Sequence, residues 1–198
     1  MEGDSLEVPL LYKIVRPIVK VLVITIFRPK YIGLDNIPES GPVVIAGNHT
    51  NILDCVLLLS STKRCIRFLA KDSLYKWPTS IIFKNLGIIP VNRSIHDKNA
   101  LKKAKEFLNK GALIGIFPEG TINRTNDIIM PFKIGAVKMA SDTDSLIVPF
   151  TITGKYRPFK NDLTIKFQEP YKIEGTDLDK ENDKLMNKIA DELKRCKK

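Results

Sequence analysis

The chain has 198 residues, 43% of them hydrophobic, and suits one globular domain with a sizeable core. Its net charge of +10 favours an anionic partner, but the aromatics do not interleave with basic residues, and zinc-finger spacing and a basic helix with heptads are both missing, which argues against nucleic acid. Three cysteines, odd in number and without CxxC spacing, argue against a disulfide framework and fit a reducing compartment.

Residues 8 to 28 carry the first pattern. Leu11, Ile14, Val15, Ile18, Leu22 and Ile26 recur at helical spacing, while Lys13, Arg16 and Lys20 gather on another face. Pro17 is expected to end one helical piece or begin the next. The longest uncharged run, Val21 to Phe27, is far shorter than the roughly 20 residues needed to span a bilayer. Arg28-Pro29-Lys30 stands where a signal peptide would need small residues for cleavage. The pattern predicts basic amphipathic helices lying in an anionic membrane interface, although a helix packed on the protein's own core has the same periodicity. Residues 1–32 are therefore expected to form a membrane-associating segment and 33–198 an α/β domain.

Gly33 to Pro42 is loop-like. Strands are predicted at Val43–Ala46, Ile66–Ala70, Ile88–Val91, Leu113–Phe117, Leu146–Ile152 and Leu163–Phe167. Helical patterns lie at Ile52–Ser61, Lys98–Asn109, Lys133–Ala140 and Asp179–Lys194, the last with Leu185, Ile189 and Leu193 on one stripe. The alternation predicts a single α/β domain with a mixed, largely parallel sheet flanked by helices.

The first stretch with chemical content is Asn48-His49-Thr50-Asn51-Ile52-Leu53-Asp54, between a strand and a helix. On a regular helix His49 and Asp54 would stand about 140° apart. They meet only if His49 lies in the turn and Asp54 in the first helical turn, with Asn51 as the expected cap. A histidine so held can act as a general base. The same carboxylate also suits a helix dipole with no catalytic role. Cys55, in the apolar run that follows, reads as a buried inert thiol.

Three further blocks end strands, where ligands gather in α/β sheets. Gly87 to Arg93 puts a guanidinium at a strand end, suited to gripping phosphate. Leu113 to Thr121 ends in Pro118-Glu119-Gly120-Thr121, where Glu119 is placed to accept a hydroxyl or orient a base and Gly120 lets a ligand approach closely. Arg124, Lys133 and Lys138 follow, Lys133 just before a helix that holds Gly135, making an anion site. Val148-Pro149-Phe150 puts a proline in a strand, predicting an edge, a bulge or a strand start. His49 and His96 are the only histidines, and no set with metal-ligand spacing exists, so no metal is expected.

Together these blocks resemble the glycerolipid acyltransferase family, most closely its bacterial lysophosphatidic acid acyltransferases. His49 to Asp54 is similar to the His-x4-Asp motif, Gly87 to Arg93 to the glycine-to-arginine block, Phe117 to Thr121 to Phe-Pro-Glu-Gly-Thr, and Val148-Pro149 to the closing block. Phe132-Lys133-Ile134-Gly135-Ala136 is similar to the segment after the third block. The resemblance spans roughly residues 35 to 170 and implies an enzyme of phospholipid biosynthesis that makes phosphatidic acid. It implies His49 as general base and Asp54 as its partner. Arg93, Glu119, Gly120, Thr121, Arg124 and Lys133 would hold the substrate. The donor would be acyl-CoA or acyl-acyl carrier protein, with no bound cofactor, and the enzyme would sit on the cytoplasmic face of the membrane. Backbone amides around the His49 turn are candidate donors to the thioester carbonyl.

Ile122 stands where the family commonly has arginine, and Asn92 where aspartate is frequent. The phosphate grip then rests on Arg93, Arg124 and Lys133, or the acceptor is another lysophospholipid. An esterase and a non-catalytic phospholipid-binding membrane protein are the remaining alternatives.

Overall fold

All five residues of the strand Val43–Gly47 are fully or nearly buried, and its four side chains divide between two cores. Val44 and Ala46 pack with Ile114 and Ile147, while Val43 and Ile45 pack with Leu113, Val148 and Phe150. A strand whose alternate residues enter different cores must be covered on both faces. The structure, a computed structural model, describes residues 7–75, 79–92 and 97–196.

In chain order the elements are α1 (Leu10–Phe27), β1 (Lys30–Ile32), β2 (Val43–Gly47), α2 (Asp54–Ser61), β3 (Ile66–Lys71), α3 (Thr79–Asn85) and β4 (Ile89–Val91). Then come α4 (Lys98–Asn109), β5 (Leu113–Ile116), α5 (Gly135–Asp142), β6 (Leu146–Thr153), β7 (Thr164–Phe167) and α6 (Leu178–Cys196). Short 3-10 turns occupy Leu34–Asn36 and Asp72–Tyr75. The strands form one seven-stranded sheet ordered β1-β7-β6-β2-β5-β3-β4, parallel throughout except between β6 and β7. The expected α/β domain with a mixed, largely parallel sheet is what forms. Its sheet reaches back to Lys30, because β1 pairs with β7.

Helices α4, α5 and α6 cover one face, and α1 and α2 the other. In α4 the Asp97 side chain caps the helix at Ala100 N (3.0 Å), and Ala100, Ala104, Phe107 and Leu108 are buried at helical spacing. Leu185, Ile189 and Leu193 of α6 form the expected stripe. Burying each of these side chains stabilises the fold by about 1.5–3 kcal/mol.

The structure resolves two expectations about proline, the first as a correction, and adds two elements for which there was none. Helix α1 is one helix running through Pro17. Pro17 and Lys13, whose carbonyl loses its intrahelical donor, are both exposed. Pro149 lies in β6, an interior strand, and of its three expected settings the bulge fits: Phe150 pairs with Phe167 but Ile147 with Tyr171, so two residues of β6 face three of the neighbouring segment. It is tolerated because the β6–β7 ladder ends at Phe150 and Phe167, one residue before the missing N–H, and Gln168 N still donates to Pro149 O (2.8 Å). The strand β1 and the helix α3 carry no pattern that predicted them.

The first helix has a packed side and an open one. Tyr12 and Val23 are buried, with Val19 and Phe27 packed beside Val23 on the sheet core. On the opposite side Leu10, Ile14, Ile18, Val21, Leu22 and Ile24 are exposed, Leu10 by 73% and Val21 by 63%. Arg16 is turned inward, donating to Thr62 O (2.7 Å). Among the described residues no helix is long and apolar enough to cross a membrane.

Candidate active site

Parallel strands bring their carboxyl ends to one edge of the sheet, and there β2, β5 and β6 assemble the site. Gly47 ends β2 against β6, where a Cβ would stand 2.5 Å from Phe150 O. Asn48 then continues the ladder with its side chain: Nδ2 donates to Ile152 O (2.9 Å) and Oδ1 accepts from Ile152 N (2.7 Å). The backbone can therefore turn away to present His49 while the strand stays paired.

His49 Nδ1 lies 2.9 Å from Asp54 Oδ2. Asp54 opens α2 and is wholly buried. The helix starts later than a cap at Asn51 would require. Asn51 instead makes a turn of its own, its Oδ1 accepting from Leu53 N (3.0 Å) and its carbonyl from Asp54 N (3.1 Å). Among the described residues, five donors face the Asp54 carboxylate. Oδ2 takes His49 Nδ1, Thr50 N (2.6 Å) and Asn51 N (2.8 Å), and Oδ1 takes Thr50 Oγ1 (3.2 Å) and Tyr156 Oη (2.6 Å). A carboxylate so surrounded only accepts, so Nδ1 carries the proton and Nε2 keeps the basic lone pair. Phe117 stacks on the imidazole, with ring centroids 4.1 Å apart.

Tyr156 has no precedent in the motif reading. Burial, then the Asp54 charge, push its phenol far above the ordinary tyrosine value, which keeps it a donor. The one sequence signal for it is position, three residues past the carboxyl end of β6.

Glu119, only 4% exposed, divides its carboxylate between two backbone amides: Oε1 accepts from His49 N (2.7 Å) and Oε2 from Met130 N (2.9 Å). Burial pushes its carboxyl up, and those two N–H groups pull it back. It thereby ties the His49 turn to the long loop between β5 and α5. Two backbone bonds close the same loop, Asn123 N to His49 O (2.8 Å) and Lys133 N to Pro118 O (2.9 Å).

The amides of His49, Thr50 and Asn51 serve Glu119 and Asp54, and that of Leu53 serves Asn51. Of the five amides from His49 to Leu53, four are engaged by side chains, which narrows the candidate donors to a substrate carbonyl in this turn.

Gly120 adopts a left-handed φ of +74°, and the Lys133 side chain lies across it, 2.9 Å (Cε) and 3.1 Å (Nζ) from where a Cβ would be. Thr121, Arg124 and Lys133 are exposed along this loop. Arg93 and His96 lie outside the described residues. A cavity at the same strand ends is lined by Asn48, Thr50, Asn123, Ile128, Thr153 and Gly154, with neither His49 nor Asp54 in its wall.

A family model described as Acyltransferase matches residues 28–153. The 1-acyl-sn-glycerol-3-phosphate acyltransferase of Borreliella burgdorferi is 40% identical over 123 residues, 61% of this chain and 49% of that protein. The Brassica napus chloroplastic protein BAT2 of the same description is 32% identical over 81% of this chain and 49% of its own. The Bacillus subtilis protein is 30% identical over 73% of this chain and 72% of its own. The crystal structure of the lysophosphatidic acid acyltransferase PlsC from Thermotoga maritima shares the fold, with a TM-score of 0.74 at 21% identity over 94% of this chain and 81% of that one. This chain spans about half the length of the Borreliella and Brassica proteins. With the matched span running from the end of α1 to the end of β6 and holding His49, Asp54 and Glu119, the chain belongs to the acyltransferase family.

Proposed function

We propose that this chain transfers an acyl group from a thioester to the sn-2 hydroxyl of lysophosphatidic acid, giving phosphatidic acid. The observation that carries the reading is an imidazole tied through Nδ1 to a buried carboxylate, in a chain of this family. His49 Nε2 takes the hydroxyl proton as that oxygen attacks the thioester carbonyl. The tetrahedral intermediate collapses, the C–S bond breaks, and the imidazolium returns the proton to the departing thiolate. Asp54 fixes the tautomer and stabilises the imidazolium, as the aspartate of a hydrolase triad does. The substrate hydroxyl stands in for an enzyme serine, so no acyl-enzyme is needed.

Arg93, Gly120, Thr121, Arg124 and Lys133 are proposed to hold the glycerol phosphate. The bare Gly120 leaves room for the Lys133 ammonium over the turn, which supports this role. Glu119 is proposed to set the position of that turn against His49. The donor is acyl-CoA or acyl carrier protein. The outward apolar face of α1 supports a peripheral or monotopic seat on the cytoplasmic face of the membrane, with residues 1–32 as the associating segment.

The test is acyl transfer to radiolabelled lysophosphatidic acid by purified protein, wild type beside His49→Ala, with each donor supplied separately. Phosphatidic acid from wild type, reduced about 10²–10⁴-fold in the variant, is expected. Equal product from both proteins would falsify the general-base role. Ile122 in the arginine position favours a second reading, another lysophospholipid as acceptor. Wild-type product from that acceptor alone would establish it.

A further inference from the structure

Between β6 and β7 the chain runs Gly154-Lys155-Tyr156-Arg157-Pro158-Phe159-Lys160-Asn161-Asp162. Its base is part of the site: Tyr156 donates to Asp54, and its ring meets Phe27 of α1 edge-on, centroids 5.5 Å apart. Its tip is built differently. Phe159 has a left-handed φ of +61°, a conformation unfavourable for a residue with a Cβ, and its side is 63% exposed. The tip is held by Phe159 N donating to Ile26 O in the last turn of α1, by Arg157 pairing with Asp162, and by backbone bonds from Arg157 N to Lys155 O and from Lys160 N to Arg157 O. Lys155 and Lys160, four residues before Phe159 and one after it in sequence, are exposed. The fold thus maintains an unfavourable backbone conformation while leaving a large apolar residue exposed in a loop that also exposes two lysines. It does so at the end of α1, whose outward face is apolar.

We propose that this loop is a second contact with an anionic lipid surface, Phe159 entering the acyl boundary and Lys155 and Lys160 meeting headgroup phosphates. The choice of an anionic bilayer rests on charge complementarity, locally at the two lysines and over a chain of net charge +10. The proposal rests on the reading of α1 as a membrane-interface helix. It puts a lipid contact three residues from Tyr156, at the rim where a lipid substrate must arrive.

The test is flotation of the full chain with vesicles of phosphatidylcholine alone or mixed equally with phosphatidylglycerol. Wild type is compared with Phe159→Gly, with Lys155→Ala/Lys160→Ala, and with Ile14→Asp/Ile18→Asp on α1. Glycine adopts the left-handed conformation freely, so Phe159→Gly should melt no lower than wild type. Its binding to mixed vesicles should fall about tenfold, and that of the double lysine variant by about fivefold per lysine. Activity on detergent-dispersed substrate should survive in both. Loop variants that bind like wild type, while the α1 variant does not, would overturn the loop contact and leave the α1 reading standing. Wild type bound to neither vesicle would overturn the α1 reading and this proposal with it. Equal wild-type binding to both vesicles would overturn the anionic preference. A lowered melting point for Phe159→Gly would place its ring in the protein's own packing, also against the proposal.

Discussion

Tyr156 Oη lies 2.6 Å from one oxygen of Asp54 while His49 Nδ1 lies 2.9 Å from the other. The two residues come from different strand ends and share one carboxylate. The phenol fixes the rotation of that carboxylate, and the carboxylate fixes the imidazole. Hydrogen bonds to a charged group contribute about 1.5–3 kcal/mol. Tyr156→Phe keeps the ring against Phe27 and removes only the donor, so kcat should fall roughly ten- to a hundredfold with KM for the acceptor nearly unchanged. Steady-state kinetics that separate kcat from KM check this; an equal rise in KM would mean the tyrosine acts on binding instead.

Glu119→Gln tests the carboxylate that joins the His49 turn to Met130. A glutamine can accept from one of the two amides but turns an NH2 toward the other, leaving a buried N–H unsatisfied. The cost should be about 1–3 kcal/mol of stability, read from urea unfolding. Activity should fall as well, since the same bond positions His49. Loss of activity with full stability would instead indicate direct contact with substrate.

Lys133→Ala should raise KM for a phosphate-bearing acceptor by about ten- to a hundredfold, the range of one charge-assisted hydrogen bond, and change kcat little. Gly120→Ala should move KM the same way. Its methyl group would meet Lys133 Cε at 2.9 Å, and the φ of +74° strains any residue with a Cβ. An acceptor without phosphate should be indifferent to Lys133→Ala, and sensitivity there would count against the phosphate role.

Tyr12 predicts how stability responds to alkali. It accepts from Ile66 N (3.0 Å) and donates to Arg64 O (3.1 Å), pinning α1 to the start of β3. Burial raises its phenol from the ordinary 10.0 to about 12. Because the unfolded chain releases this proton first, the stabilisation is complete below pH 10 and is lost as pH rises from there towards 12. A shift of that size corresponds to about 2–3 kcal/mol. Denaturant melts across this window should decline less steeply for Tyr12→Phe, and parallel declines would exclude Tyr12 as the source.

Much of this was legible in the sequence because a buried parallel sheet writes itself as short apolar runs. Val43 to Gly47 and Leu113 to Ile116 sit deep in the sheet and were readable for that reason. The edge strand β1 is three residues, Lys30-Tyr31-Ile32, and so short a segment after a proline has no alternation to detect. Proline misled at Pro17, where its local preference ignores that the Lys13 carbonyl left without a donor lies on an exposed turn. The approach of His49 to Asp54 could be inferred because five residues separate them. Tyr156 could not, because 102 residues separate it from the carboxylate it holds. Glu119 was conspicuous as a strand-end carboxylate, yet its backbone partners depend on how the loop to Met130 returns, which no local pattern encodes.

The outward stripe of α1 also governs how the isolated chain should behave in a test tube. With six bulky apolar side chains facing solvent, two copies in plain buffer can shield each other's stripes. The apparent mass should therefore depend on surfactant: large and concentration-dependent assemblies without it, one chain per micelle with it. Purification yield and specific activity should track that transition together.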